Sequence, residues 1–349
     1  MADEHKHEHK HDHEHEHSHD AHAGEHSHDH EQKAHGHEHE KAEDHGHEEH
    51  AHSHAADHAH QHGHEHEHEG SHEHAHGPSD HGHDHEHKTR FHDPAHAAEF
   101  DGRGLSDIRA DLAEKLIESL TVKGGELILD LATGTCRIAR PLSKALKGGR
   151  IFGVDQALAM LDVGHHHADP IPSYDQAAGE ADKLPYKTGT FDRAFVSFSL
   201  HHFSNSSGVV AEVLRVLKPG GRFVVVDPVI EEAKDAIDSA LETKINQVFR
   251  RTHGDDFKFH TSSSIQRLLS KAGYRVPRVN VLSYAFNQEG MSGIPTGAHW
   301  LEAALELEKE APELAERLKK NYFTWHSHGD HAHVKGSFSY AVITGVKPA

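Results

Sequence analysis

The 349-residue chain has one cysteine, Cys136, so no disulfide can form within it and its fold rests on hydrophobic packing. No run of about 18 apolar residues is present, which excludes a membrane-spanning helix. The N-terminus has no apolar segment of the secretory-signal kind. These absences lead to the expectation of a reducing compartment, the cytoplasm. Positive charge is also scarce: 36 Lys and Arg stand against 57 Asp and Glu, for a formal net charge of −21. With no basic stripe to meet a phosphate backbone, no nucleic-acid partner is expected.

What is present is unevenly distributed. Residues 1–92 hold 34 of the 47 His, 24 carboxylates and six Lys or Arg, a charge of −18 that leaves only −3 for residues 93–349. This segment has almost no Leu, Ile, Val or aromatic residues. It cannot bury enough apolar surface to offset its ordering entropy, so a disordered tail is expected. The tail alternates His with acidic residues, as at His11, His13, His15 and His17 and again at His62, His64, His66 and His68. Such runs bring several imidazoles within reach of one ion. Neutral imidazole suits Zn, Ni and Cu(II), and the flanking carboxylates attract divalent cations.

Residues 93–349 suffice for one large α/β domain with its own core. Its first part, 91–104, reads as a linker with a turn at Asp93 and Pro94. Residues 106–120 read as a helix, with Leu105, Ile108, Leu112, Leu116 and Leu120 on one face. The organising stretch follows, residues 126–136. Its first half is a short apolar strand that ends on Asp130. Its second half, Ala132, Thr133, Gly134, Thr135 and Cys136, is a small-residue turn, and residues 137–146 read as a helix. Strand, small turn and helix in this order build a nucleotide-binding crevice at the carboxyl end of a parallel strand. A second strand at 150–154 ends on Asp155, spaced to hold ribose hydroxyls or to cap the next helix, 157–164. A nicotinamide-dependent oxidoreductase would want further glycines in the turn, and only Gly134 is present.

Three further blocks follow in order: Gly179 to Tyr186, Thr190 to Phe203, and Glu212 to Asp227 with its Leu217-Lys-Pro-Gly-Gly221 turn. Together with the first turn they resemble the class I S-adenosylmethionine-dependent methyltransferases, and among these the ubiquinone/menaquinone C-methyltransferase type. The resemblance implies a Rossmann-like α/β fold: a seven-stranded sheet with helices on both faces, its last strands antiparallel. It also implies S-adenosyl-L-methionine as cofactor and a small-molecule methyl acceptor. On this resemblance, the turn of Ala132, Thr133, Gly134 and Thr135 approaches the methionyl end, Asp155 holds the ribose, and Asp130 and Gln156 also belong to the cofactor site. Glu180 and Ala181 read the adenine edge, and Ser197 lies beside the cofactor. Two turn positions depart from the family pattern: Ala132 and Cys136 stand where glycine is usual.

His201 and His202 fall just past the fourth strand, where the quinone enzymes have Arg-Asn. A His here can take a proton from the acceptor as the methyl group arrives, or can pack to fix the loop. Beyond it, 229–251 and 263–272 read as helices and 275–284 and 335–346 as the last strands. An insertion at 285–334 carries two amphipathic helical stretches separated by Pro312. It ends in His326, His328, His331 and His333, which read either as a second metal site or as a polar loop. His165, His166 and His167 form a further cluster. The expected function is methyl transfer to a small molecule with divalent metal ions bound by the tail. The alternative is a metal storage or delivery protein built on a degenerate methyltransferase fold.

Overall fold

A computed structural model describes residues 91–167, 169–328 and 331–349. The tail histidines His11, His13, His15, His17, His62, His64, His66 and His68 lie outside the described residues, as does most of the 1–92 segment.

The strands are β1 (Leu127–Leu131), β2 (Arg150–Asp155), β3 (Tyr174–Ala178), β4 (Phe191–Ser197), β5 (Leu217–Val229), β6 (Arg275–Glu289), β7 (Phe323–His328) and β8 (His331–Val346). Seven of them run in the order β3-β2-β1-β4-β5-β8-β6, and β7 pairs with β8 as an eighth. Strands β1 to β5 are mutually parallel. Strand β8 enters antiparallel between β5 and β6. The chain winds outward from β1 through β2 to β3, then returns to the other side of β1 to lay down β4 and β5. The β1/β4 boundary is therefore the switch point, where the carboxyl ends of a doubly wound sheet leave a crevice.

The helices are α1 (Pro94–Gly102), α2 (Asp107–Leu120), α3 (Ala139–Ala145), α4 (Leu158–His165), α5 (Ser206–Val216), α6 (Ala236–His253), α7 (Ser262–Ala272), α8 (Gly297–Glu310) and α9 (Pro312–Asn321). They cover both faces of the sheet over two main cores. Leu112, Leu116 and Leu120 of α2 are fully buried against Ile128, Phe195 and Val224 on one face; Val210 and Val213 of α5 join Leu129, Val196 and Val225 on the other. This alternation along β1, β4 and β5 is that of strands covered on both sides.

The structure revises several sequence readings. The expected linker holds helix α1, started by Pro94 and capped by the Asp93 carboxylate, which accepts from the Ala95 N–H at 3.0 Å. The helix read at 229–251 begins only at Ala236. Asp235 accepts from Asp238 N–H at 2.9 Å and fixes that start, while Ile230 pairs with His260. Strand β3 was not apparent: it is short, polar and at the sheet edge. In the 285–334 insertion the two helices are present, with Trp300, Ala304, Leu307 and Leu318 buried. Its ends, however, are strand: β6 runs on to Glu289, His326 and His328 lie in β7, and His331 and His333 lie in β8.

Candidate active site

The crevice is built on the turn after β1. Thr133 N–H donates to Val154 O at 3.1 Å, tying the turn to β2, and Gly134 N–H donates to the Asp155 carboxylate at 2.8 Å. The other Asp155 oxygen accepts from Ala157 N–H at 2.9 Å, at the start of α4. Asp155 thus joins the turn to the next helix. Asp130 is buried and accepts from the Thr133 hydroxyl at 2.6 Å; burial pushes its carboxyl up to about 8. Beneath the turn, Tyr174 Oη lies 3.1 Å from the Thr133 hydroxyl and 2.9 Å from Cys136 Sγ. Burial pushes the Cys136 thiol up to about 11, so it is a packed thiol and not a nucleophile.

The turn needs left-handed backbone at Ala132 (φ 53°), Gly134 (φ 55°) and Cys136 (φ 62°). Two of these are the positions where glycine is usual in the resembling family. The glycine conformation persists there with the glycine gone. Of the remaining expected cofactor residues, Gln156 and Glu180 are exposed, Ala181 is half-buried, and Ser197 closes β4 beside the turn.

Leu200–His202 form a short 3-10 turn past the end of β4. His201 is 4% exposed, and its Nδ1 is 3.0 Å from both oxygens of Asp227, which is fully buried near the end of β5. Burial lowers the His201 ring to about 3 and raises the Asp227 carboxyl to about 8; His260 and the N–H groups of His201, Leu200 and Ser199 oppose the second shift. Sharing a hydrogen bond, the two titrate as one unit. Burial thus disfavours charge on either member and holds the last proton of the pair above the usual carboxylate range. His202 packs instead: its ring stacks on His253 at 5.7 Å and meets the edges of Phe91 and Phe257 at 5.8 Å. The Arg109 guanidinium lies 4.9 Å over Phe198, the residue after Ser197.

Reading the sequence missed Asp227 as the partner of His201. Asp227 had a signal: like Asp130 and Asp155, it follows an apolar strand run. His326 and His333 stand opposite each other in the hairpin, as do His328 and His331. The His333 ring lies between Glu289 and Asn287, 2.8 Å from each. Among the described residues no group of three or more His, Cys, Asp or Glu is placed to hold a metal ion.

The match to known proteins falls on this crevice. Residues 129–225 match a family described as a methyltransferase domain. The demethylmenaquinone methyltransferase of Corynebacterium kroppenstedtii is 40% identical over 108 residues, 31% of this chain and 44% of that one. That of Paenarthrobacter aurescens is 36% identical over 112 residues, 32% and 42% of the two chains. The chain thus spans less than half the length of these curated relatives. Among solved structures, the YcgJ protein of Bacillus subtilis superposes with a TM-score of 0.55 at 22% identity, covering 69% of this chain and 99% of its own. A Bacillus halodurans protein described as a methyltransferase gives 0.54 at 20% identity, over 68% and 99%. The two structures share the fold. The matched methyltransferase domain spans β1 to β5 of that shared fold.

Proposed function

We propose that this chain transfers a methyl group from S-adenosyl-L-methionine to a small-molecule acceptor, and that His201 takes up the proton the acceptor loses. The turn after β1 fits the cofactor. Thr135 Oγ1 is buried without a hydrogen-bond partner, at the place where the resemblance puts the methionyl end. The residues that would hold the cofactor are Thr133, Gly134 and Thr135 at that end, Asp155 and Gln156 at the ribose, Glu180 and Ala181 at the adenine, and Ser197 alongside. The bound sulfonium supplies an activated methyl group. The protein supplies alignment and exclusion of water.

The observation that carries the proton role is the His201–Asp227 pair. With Nδ1 turned to the carboxylate, Nε2 is the nitrogen left for the acceptor. It is free of its own proton only once the pair has become net negative. His202 holds the loop through its ring contacts. The test is transfer of labelled methyl from the cofactor to an acceptor in His201→Asn and His202→Asn chains. Loss of turnover of about 100-fold in the first, with cofactor affinity kept, supports the role; equal activity in His201→Asn and wild type contradicts it.

The reading extends to the tail, whose histidines we assign to Zn, Ni or Cu(II) in several modest sites. Calorimetric titration of each ion into the full chain tests this; uptake of less than one ion per chain rejects it. The cytoplasm is the setting this reading assumes, supported by the unpaired, buried Cys136. Among the described residues no helix is long and apolar enough to cross a membrane.

A further inference from the structure

A second groove lies beside the cofactor turn. Helix α1, the start of α3 and the segment after α4 enclose a groove of about 270 Å³, lined in part by Asp101, Arg137, Arg140, Lys144 and His167. None of the residues assigned above to the cofactor lines it.

The guanidinium groups here are under-used. Arg140 is 9% exposed, and its Nη1 donates to Thr135 O at 2.8 Å and stands 3.7 Å from Asp101. Its Nε and Nη2 are buried with no partner. Arg137 has buried, unpartnered Nε and Nη2 as well, and its guanidinium lies flat over the Phe100 ring at 4.0 Å. Burial lowers Arg137 to about 10, which still leaves it cationic at neutral pH. The available carboxylates are already engaged: Asp101 is shared between Arg140 and His167, at 3.4 Å from the latter, and Asp169 pairs with Lys144 at 3.1 Å near the surface. Buried N–H donors are normally satisfied, and a buried cation is normally paired. Four guanidinium nitrogens buried without partners, on two neighbouring arginines that line the groove, are the pattern of a site that an oxyanion completes. Guanidinium is the side chain best shaped to grip carboxylate or phosphate with paired donors.

We propose that this groove binds an oxyanion-bearing ligand, a phosphate or a carboxylate, through Arg137 and Arg140, with Lys144 at its rim. Through Nη1, Arg140 would link that site to the Thr135 carbonyl of the cofactor turn. The site does not depend on the methyl-transfer reading.

The test is calorimetric titration of inorganic phosphate, pyrophosphate and citrate into the full chain at pH 8, where the tail imidazoles are neutral. The expected result is saturable binding of one equivalent of at least one of the three; the tighter arm identifies phosphate or carboxylate as the natural group. Arg137→Gln and, separately, Lys144→Gln should weaken that binding, the first by at least 10-fold, with the melting temperature kept. Absence of saturable binding for all three anions overturns the proposal. So does unchanged affinity in both Arg137→Gln and Arg140→Gln. Competitive displacement of the anion by S-adenosylhomocysteine also overturns it, since the groove would then be an arm of the cofactor crevice.

Discussion

His201 Nδ1 lies 3.0 Å from each carboxylate oxygen of Asp227, and the two residues come from the ends of adjacent parallel strands, β4 and β5. The pair is buried and titrates as a unit, and burial raises the carboxyl of Asp227 above its ordinary range. If His201 Nε2 receives the acceptor's proton, turnover should rise with pH from neutral into the alkaline range. Asp227→Asn should remove that limb and lower kcat more than it raises KM. A pH–rate profile of both chains checks this; a flat wild-type profile from 7 to 9 contradicts it.

The left-handed turn gives a prediction on stability. At Ala132 the φ of 53° costs roughly 1–2 kcal/mol relative to glycine. Ala132→Gly recovers part of that against the greater flexibility of unfolded glycine. The expected net gain is about 0.5 kcal/mol in a urea titration. Cys136→Gly relieves the same strain but deletes a fully buried thiol packed against Tyr174 and α4, so it should lose about 1–2 kcal/mol.

Gly153 in β2 is there for space. A Cβ at that position would stand 1.9 Å from Tyr174 Oη and 2.9 Å from Thr133 Cγ2. Gly153→Ala should therefore destabilise by about 2–3 kcal/mol. Tyr174→Phe should rescue part of that loss, because it removes the nearest atom. A thermal melt of the two single variants and the double variant measures the coupling; strict additivity would show that the two sites are independent.

Stability should fall in mild acid. Burial holds His201 and His253 down to about 3 and lowers His202 and His260. Unfolded imidazoles titrate near ~6.5, so this contribution is complete above that pH and is lost as pH falls below it. Asp130 and Asp227, both raised to about 8, act in the opposite sense: their folded forms hold protons that unfolded carboxyls lose near ~4, so their contribution declines as pH rises through 8. Between about 4.5 and 6 the four imidazoles outweigh the two carboxyls. Going from pH 7 to 5 should therefore lower stability. Chemical denaturation at the two pH values tests the sign.

Much of the crevice was legible in the chain because each of its parts is local. A short apolar run closing on an acid, a turn of small residues and a leucine-spaced helix can be read within 20 residues, and β1, the turn, β2 with Asp155 and α2 follow from them. What was not legible depends on contacts distant in sequence. Asp227 becomes a partner of His201 only when β5 lies beside β4. Strand β3 offers no hydrophobic alternation, since its pairing with β2 and not its side chains makes it a strand. Helix α1 was hidden by its short, polar sequence, and its one clear marker, Asp93 before Pro94, reads equally well as a turn. The histidines 326–333 read by composition as either a metal site or a polar loop, but His326 and His328 pair across strands with His333 and His331.

The central claim is that the β1 turn and Asp155 form a working cofactor crevice despite Ala132 and Cys136. Calorimetric titration of S-adenosylhomocysteine into the full chain tests it most directly. The account predicts one site with micromolar affinity, weakened at least 10-fold by Asp155→Ala in a chain that still melts cooperatively. A folded wild-type chain that binds no S-adenosylhomocysteine would contradict it, and would favour the view that the methyltransferase fold here serves only to carry the histidine tail.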